Sequence, residues 1–122
     1  MEKYIKDNCV AVLVSPGYGA GWSTSIWGDR NLAIDKRVVE FYLQHKDDKV
    51  YMNELCNGWR NKSNLVKEVS ELFKSWGYEH TYFGGFGDIE IKWVPIGTAF
   101  RIQEYDGNEW IEYMSNIDYV TA

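Results

Sequence analysis

The 122-residue chain fits one domain and is long enough to bury a core without disulfides or a structural metal. Its 18 acidic and 13 basic residues leave a net charge of −5, which excludes a broad basic surface for polymeric DNA or RNA but not a single nucleotide held by one or two local cations. No stretch approaches the roughly 18 apolar residues of a membrane helix, no signal-peptide pattern opens the chain, and Cys9 and Cys56 form no metal-binding spacing, so a cytoplasmic protein with reduced thiols and no membrane partner is expected.

After a polar lead, Cys9-Val10-Ala11-Val12-Leu13-Val14 is a continuous, β-branched apolar run and predicts a buried strand. The loop Ser15-Pro16-Gly17-Tyr18-Gly19-Ala20-Gly21-Trp22-Ser23-Thr24 follows, and it extends to about Leu32 with Trp27 and Arg30 along the way. Compact domains rarely carry so long a structureless segment without a use for it. A first helix is predicted from Asp35, whose carboxylate can cap a free N–H, with Val38, Val39, Phe41 and Tyr42 on its apolar side. Val50 to Trp59 fits a short helix through Met52 and Leu55, or a strand through Val50-Tyr51-Met52. Leu65, Val66, Val69, Leu72, Phe73 and Trp76 recur at spacings of three and four and predict a second helix, capped by Asn61 or Ser63 and ended by Gly77.

The last third reads as β. Ile89 to Val94 alternates apolar and polar, and Pro95 to Gly97 breaks the run. Thr98–Tyr105 and Asn108–Met114 flank Asp106-Gly107, a two-residue hairpin signal. That turn sets the register: Tyr105 faces Asn108, and Phe100, Ile102, Ile111 and Tyr113 share one apolar face. Arg101 opposes Glu112 and Gln103 opposes Trp110 on the other face. A last short strand is expected over Ile117–Val120. The whole predicts a single α+β domain, residues 1–122, with an antiparallel sheet of about five strands and two helices packed on it.

Three segments have ligand character. The glycines of the Gly17–Thr24 loop can bring bare N–H groups to an anion, with the Trp22 ring beside them, or they can simply form a structural turn. The loop is neither a P-loop nor a dinucleotide fingerprint, because the Gly-Lys-Ser/Thr ending and the GxGxxG spacing are both absent. Arg101 is either a cross-strand ion pair with Glu112 or a guanidinium aimed at a phosphate, with Trp110 available to stack on a base. Phe83 and Phe86, around Gly84-Gly85, either sandwich a planar ring or fill the core. Catalytic signatures are thin. His45 and His80 are isolated, and Glu104 and Glu109 face each other at a sheet end that favours solvation. No catalytic residue, metal or cofactor is expected. Six Trp, nine Tyr and five Phe are more rings than a small domain buries with ease, which suits pockets and subunit contacts.

The loop Ser15–Thr24, the segment Arg37-Val38-Val39-Glu40-Phe41 and the run from Trp93 to Gly107 resemble a small phage-encoded family, the first Thoeris anti-defence family of phage sponge proteins. The resemblance covers most of the chain. It implies a protein that sequesters, without cleaving, a cyclic ADP-ribose isomer such as glycocyclic ADP-ribose made by bacterial TIR-domain proteins. It also implies the cytoplasm of the host bacterium, an assembly built from homodimers with ligand near the subunit contact, and, in some members, binding of cyclic tri- or dinucleotides. Carried over by position, it points to Gly19, Gly21, Trp22, Ser23 and Arg101. Phe83, Phe86 and Trp110 rest on the reading of the residues alone. Two other classes stay open: a Trp-rich module that docks on a host protein, and a small nucleotide-degrading enzyme.

Overall fold

A computed structural model describes residues 1–17, 21–25, 29–58 and 63–114. The strand expected at Ile117–Val120, together with Gly19 and Trp27, lies outside them. The described chain runs β1 (Ile5–Lys6), β2 (Cys9–Val14), a 3-10 turn (Arg30–Ala33), α1 (Lys36–His45), α2 (Lys49–Asn57), α3 (Asn64–Ser75), a second 3-10 turn (Phe86–Asp88), β3 (Glu90–Pro95), β4 (Phe100–Tyr105) and β5 (Asn108–Tyr113). This is the expected α+β class, with five strands among the described residues, one of which, β1, lies in the stretch read as a polar lead.

The strands divide into two antiparallel sheets, β1-β2-β3 and β4-β5, where one sheet was expected. The cause lies in β2, which is apolar on both faces. Ala11 and Leu13 enter one core cluster with Val38, Val39, Leu55 and Phe73 of the helices. Val10, Val12 and Val14 enter another with Ile102, backed by Phe100 and Ile111 of the hairpin. The helices and the hairpin therefore cover opposite faces of the three-stranded sheet. Burial of Val12, Leu13 and Val14, each at most 1% exposed, contributes about 1.5–3 kcal/mol per side chain. Alternation would have left one face wet, and the unbroken run records the second cover.

The hairpin has the predicted register, from Tyr105↔Asn108 through Gln103↔Trp110 and Arg101↔Glu112 to Phe100↔Tyr113. Asp106 and Gly107 take φ of 51° and 84°, the left-handed values of a two-residue turn matched to strand twist.

Each helix starts on a side-chain cap: Asp35 accepts from the Arg37 amide, Asp48 from the Tyr51 amide and Ser63 from the Leu65 amide. The Asp48 cap settles the ambiguous segment as α2, with Met52 and Leu55 turned inward. There are thus three α-helices among the described residues, one more than expected. On α3, Val69 and Phe73 are buried, Leu65, Val66 and Trp76 pack partly, and Leu72 stands exposed at the margin of the stripe.

Asp35 does more than cap. Its carboxylate, 1% exposed, also takes a 2.8 Å bond from Arg37 Nη2 and a 2.7 Å bond from the Tyr78 hydroxyl. Burial pushes its pKa up, but the Arg37 guanidinium, the Tyr78 hydroxyl and the Arg37 amide outweigh this and hold it below its ordinary value. The guanidinium of Arg37 also lies over the Trp76 ring, 5.5 Å from its centroid.

Candidate functional site

The loop after β2 folds inward. Trp22 and Ser23 are 0% exposed. The Trp22 ring lies 5.1 Å from Phe86 and 6.2 Å from Phe83. Phe86 continues to Phe41 at 5.9 Å, and Phe83 meets Phe73 edge-on at 5.2 Å. Trp22, Phe83 and Phe86 are therefore core rings in this structure, which is one of the two readings their sequence allowed. Gly85 lets the two loops touch: a Cβ there would lie 2.2 Å from the Gly21 carbonyl oxygen.

The loop does cradle an anion, and the anion belongs to the chain. Glu109 Oε1 accepts from the Ser15 amide at 2.9 Å, and Oε2 accepts from the Trp22 amide at 2.8 Å, the Thr24 amide at 3.0 Å and the Thr24 hydroxyl at 2.5 Å. The Glu109 amide in turn donates to the Ser15 carbonyl at 2.8 Å. Glu109 is 1% exposed, which corrects the expectation of a solvated carboxylate at the sheet end. Glu104, its cross-strand neighbour, remains exposed and accepts from the Gly107 amide. The two faces of the expectation separate because the loop closes over Glu109 alone. A carboxylate bound by three amides and a hydroxyl is a satisfied buried group, and it fixes the hairpin to the loop.

The outward-facing chemistry lies along β4. A groove of about 490 Å³ runs between the 3-10 turn carrying Arg30, Asn31 and the following Ile34, and the segment Phe100-Arg101-Ile102-Gln103. That volume suits a small-molecule ligand. Phe100, Ile34 and Ile102 supply apolar wall, and Arg30 and Arg101 supply two positive charges. Arg101 Nη2 donates to Glu112 Oε1 at 2.8 Å, and Glu112 Oε2 also accepts from Gln103 at 3.0 Å. Arg101, then Gln103, holds the Glu112 carboxyl below its ordinary value. Trp110 stands opposite Gln103 on the same strand pair and is 42% exposed. The Arg101–Trp110 face read from the sequence is thus present in the fold, and its β4 members Arg101 and Gln103 line the groove.

Two other clefts are less suited to an anion. The larger, about 630 Å³ beside Met1 and α1, has its cations already paired: Lys36 with Glu2 at 3.5 Å and Arg37 with Asp35 at 2.8 Å. The smaller, about 300 Å³, is lined by Lys6, Asp7, Cys9 and Trp93.

Of the residues singled out by sequence, Arg101 and Trp110 come together with Gln103. Gly21, Trp22, Ser23, Phe83 and Phe86 gather instead around the core side of the loop, and Gly19 lies outside the described residues. Reasoning from sequence missed Arg30, Ile34 and Phe100 as groove residues and Glu109 as the loop's anchor. Among the described residues no group of three or more His, Cys, Asp or Glu side chains is placed to hold a metal ion. No protein-family model, curated protein or solved structure matches the chain.

Proposed function

We propose that the protein binds and sequesters a cyclic ADP-ribose-type signalling nucleotide made by bacterial TIR proteins, does not cleave it, and so acts as a phage anti-defence protein in the cytoplasm of the host. The observation that carries this reading is the composition of the groove along β4. Two guanidiniums, an aromatic ring and two branched apolar side chains line it, with Asn31 and Gln103 as neutral hydrogen-bonding groups. Guanidinium forks match phosphate oxygens, and apolar walls match a base or ribose edge. Among the described residues the lining itself holds no carboxylate, imidazole, thiol, amine or hydroxyl to act as general acid, base or nucleophile, and the Glu112 carboxylate beside it is engaged by Arg101 and Gln103. This favours a sponge over a nucleotide-degrading enzyme. The resemblance of the loop and hairpin segments to phage sponge proteins points the same way. Burial of Trp22 removes the ring on which docking to a host protein would rest.

A sponge must outcompete an effector, and nanomolar affinity corresponds to roughly −12 kcal/mol. The groove is open on its outer side, so a second subunit of a homodimer would supply the remaining cover. Incubation with glycocyclic ADP-ribose, removal of free ligand and heat denaturation are expected to return the ligand unchanged. A linear or cleaved product in the supernatant would overturn the reading in favour of an enzyme.

A further inference from the structure

We infer that Arg30 is the principal anion anchor of the groove along β4 and takes the phosphate oxygens of its ligand, with Arg101 in a secondary role. The inference rests on the reading of that groove as the ligand site. It differs from the expectation drawn from sequence, which placed the phosphate on Arg101.

The difference lies in what each guanidinium already holds. Arg101 has a carboxylate partner 2.8 Å away in Glu112, and Arg37, at the start of α1, has one in Asp35 at the same distance. Arg30 forms no ion pair among the described residues. Among the described residues its guanidinium donates from Nη1 to the neutral Ser23 carbonyl at 3.3 Å. A guanidinium has five N–H donors, so most of this fork is available. An incoming phosphate would take the remaining donors in short charge-assisted bonds, which are about twice as strong as neutral ones, while the bond to Ser23 keeps the guanidinium in place. At Arg101 the same phosphate would compete with Glu112 and feel its negative charge.

The backbone beneath Arg30 is fixed. Asp29 caps the turn by accepting from the Asn31 amide at 2.8 Å, and Leu32 and Ala33 are fully buried. The Ser23 carbonyl that steadies the guanidinium belongs to the loop held by Glu109. The anchor is therefore aimed before ligand arrives, which lowers the ordering cost of binding. The neighbouring wall of Ile34, Phe100 and Ile102 selects the ligand class: a phosphate or diphosphate joined to a body with apolar surface, in preference to a bare anion.

The test is calorimetric titration of the full chain and of Arg30→Gln, Arg30→Lys, Arg101→Gln and Glu112→Gln, each with inorganic pyrophosphate and with glycocyclic ADP-ribose, after circular dichroism confirms folding. Arg30→Gln is expected to weaken both ligands by about a hundredfold and Arg101→Gln by about tenfold, equivalent to one further tenfold step at the anchor. Arg30→Lys restores part of the loss, since it keeps the charge and loses the fork. Glu112→Gln tightens both ligands by releasing Arg101. Equal affinity in wild type and Arg30→Gln overturns the anchor while leaving the nucleotide reading intact. Pyrophosphate binding that depends on Arg30, with no binding of the cyclic nucleotide, overturns the nucleotide reading and leaves the anchor. Failure of both probes to bind the wild-type chain overturns both.

Discussion

The loop around Trp22 and the groove along β4 hold similar chemistry in opposite states. Each brings aromatic and apolar surface next to a charged group. In the loop the charge is the Glu109 carboxylate, 1% exposed, with its oxygens bonded to the chain's own amides. In the groove the charge belongs to Arg101, whose side chain is 57% exposed, and to Arg30, which among the described residues bonds a carbonyl and no carboxylate. A polar group whose bonds are closed internally serves stability, and one with bonds to spare can serve a ligand. The two regions share the hairpin: β5 supplies Glu109 to the loop, and β4 supplies one wall of the groove.

Substitutions should separate the two regions. The largest effect is expected at Trp22. Trp22→Ala removes a ring packed on Phe83 and Phe86 and should cost about 3–5 kcal/mol in urea unfolding. A cost below 1 kcal/mol on this scale would mean that the ring is not core after all. Glu109→Ala should come next, at about 3 kcal/mol, because it leaves three amides without their acceptor. Glu109→Gln keeps one acceptor oxygen and should cost less than half as much. Equal stability of all three proteins would show that the carboxylate does not hold the loop.

A smaller effect is expected from pH. Asp35 repeats the inward pattern beside α1, with a folded pKa below its ordinary value of 3.8. Its contribution is therefore present above that value and is lost as pH falls through the folded pKa. Stability should decline with acidification below about pH 4, and Asp35→Asn should flatten that part of the curve. An unchanged slope would assign the acid sensitivity to other carboxylates. The smallest change in stability should come from the groove. Arg101→Ala breaks an exposed ion pair and should shift unfolding by less than about 1 kcal/mol. The same variant should still weaken nucleotide binding by about tenfold. If stability falls and affinity holds, the comparison between the two regions is reversed.

Local features were legible in the sequence where one short segment contains its own explanation. Asp106-Gly107 sets the turn, and the alternation around it sets the register of β4 and β5. Asp35 and Ser63 mark helix starts because their partner amides lie two residues away. Val10 to Val14 announce a buried strand, although not the two different layers that cover it. Long-range features were not legible. A glycine-rich loop with a tryptophan has the same composition whether it closes over a core or opens to a ligand. Glu109 looks like a surface acid because its partners, Ser15 and Trp22, are 94 and 87 residues away. The groove joins Arg30 and Ile34 to a strand that begins at Phe100, and no local pattern links them.

The placement of β2 also bears on how the chain is made. Cys9–Val14 pairs with Pro95–Glu90, and its second cover comes from the hairpin beyond. At a synthesis rate of roughly 5–20 residues per second, the interval between the emergence of β2 and that of β3 is about 4–15 s. Throughout that interval a segment apolar on both sides lacks its six-residue partner β3 and has only the two-residue β1 beside it. Such a segment is a ready substrate for chaperones at the ribosome and an aggregation hazard in their absence. Yield of the folded protein should therefore depend on the pace of translation as well as on the stability of the finished domain.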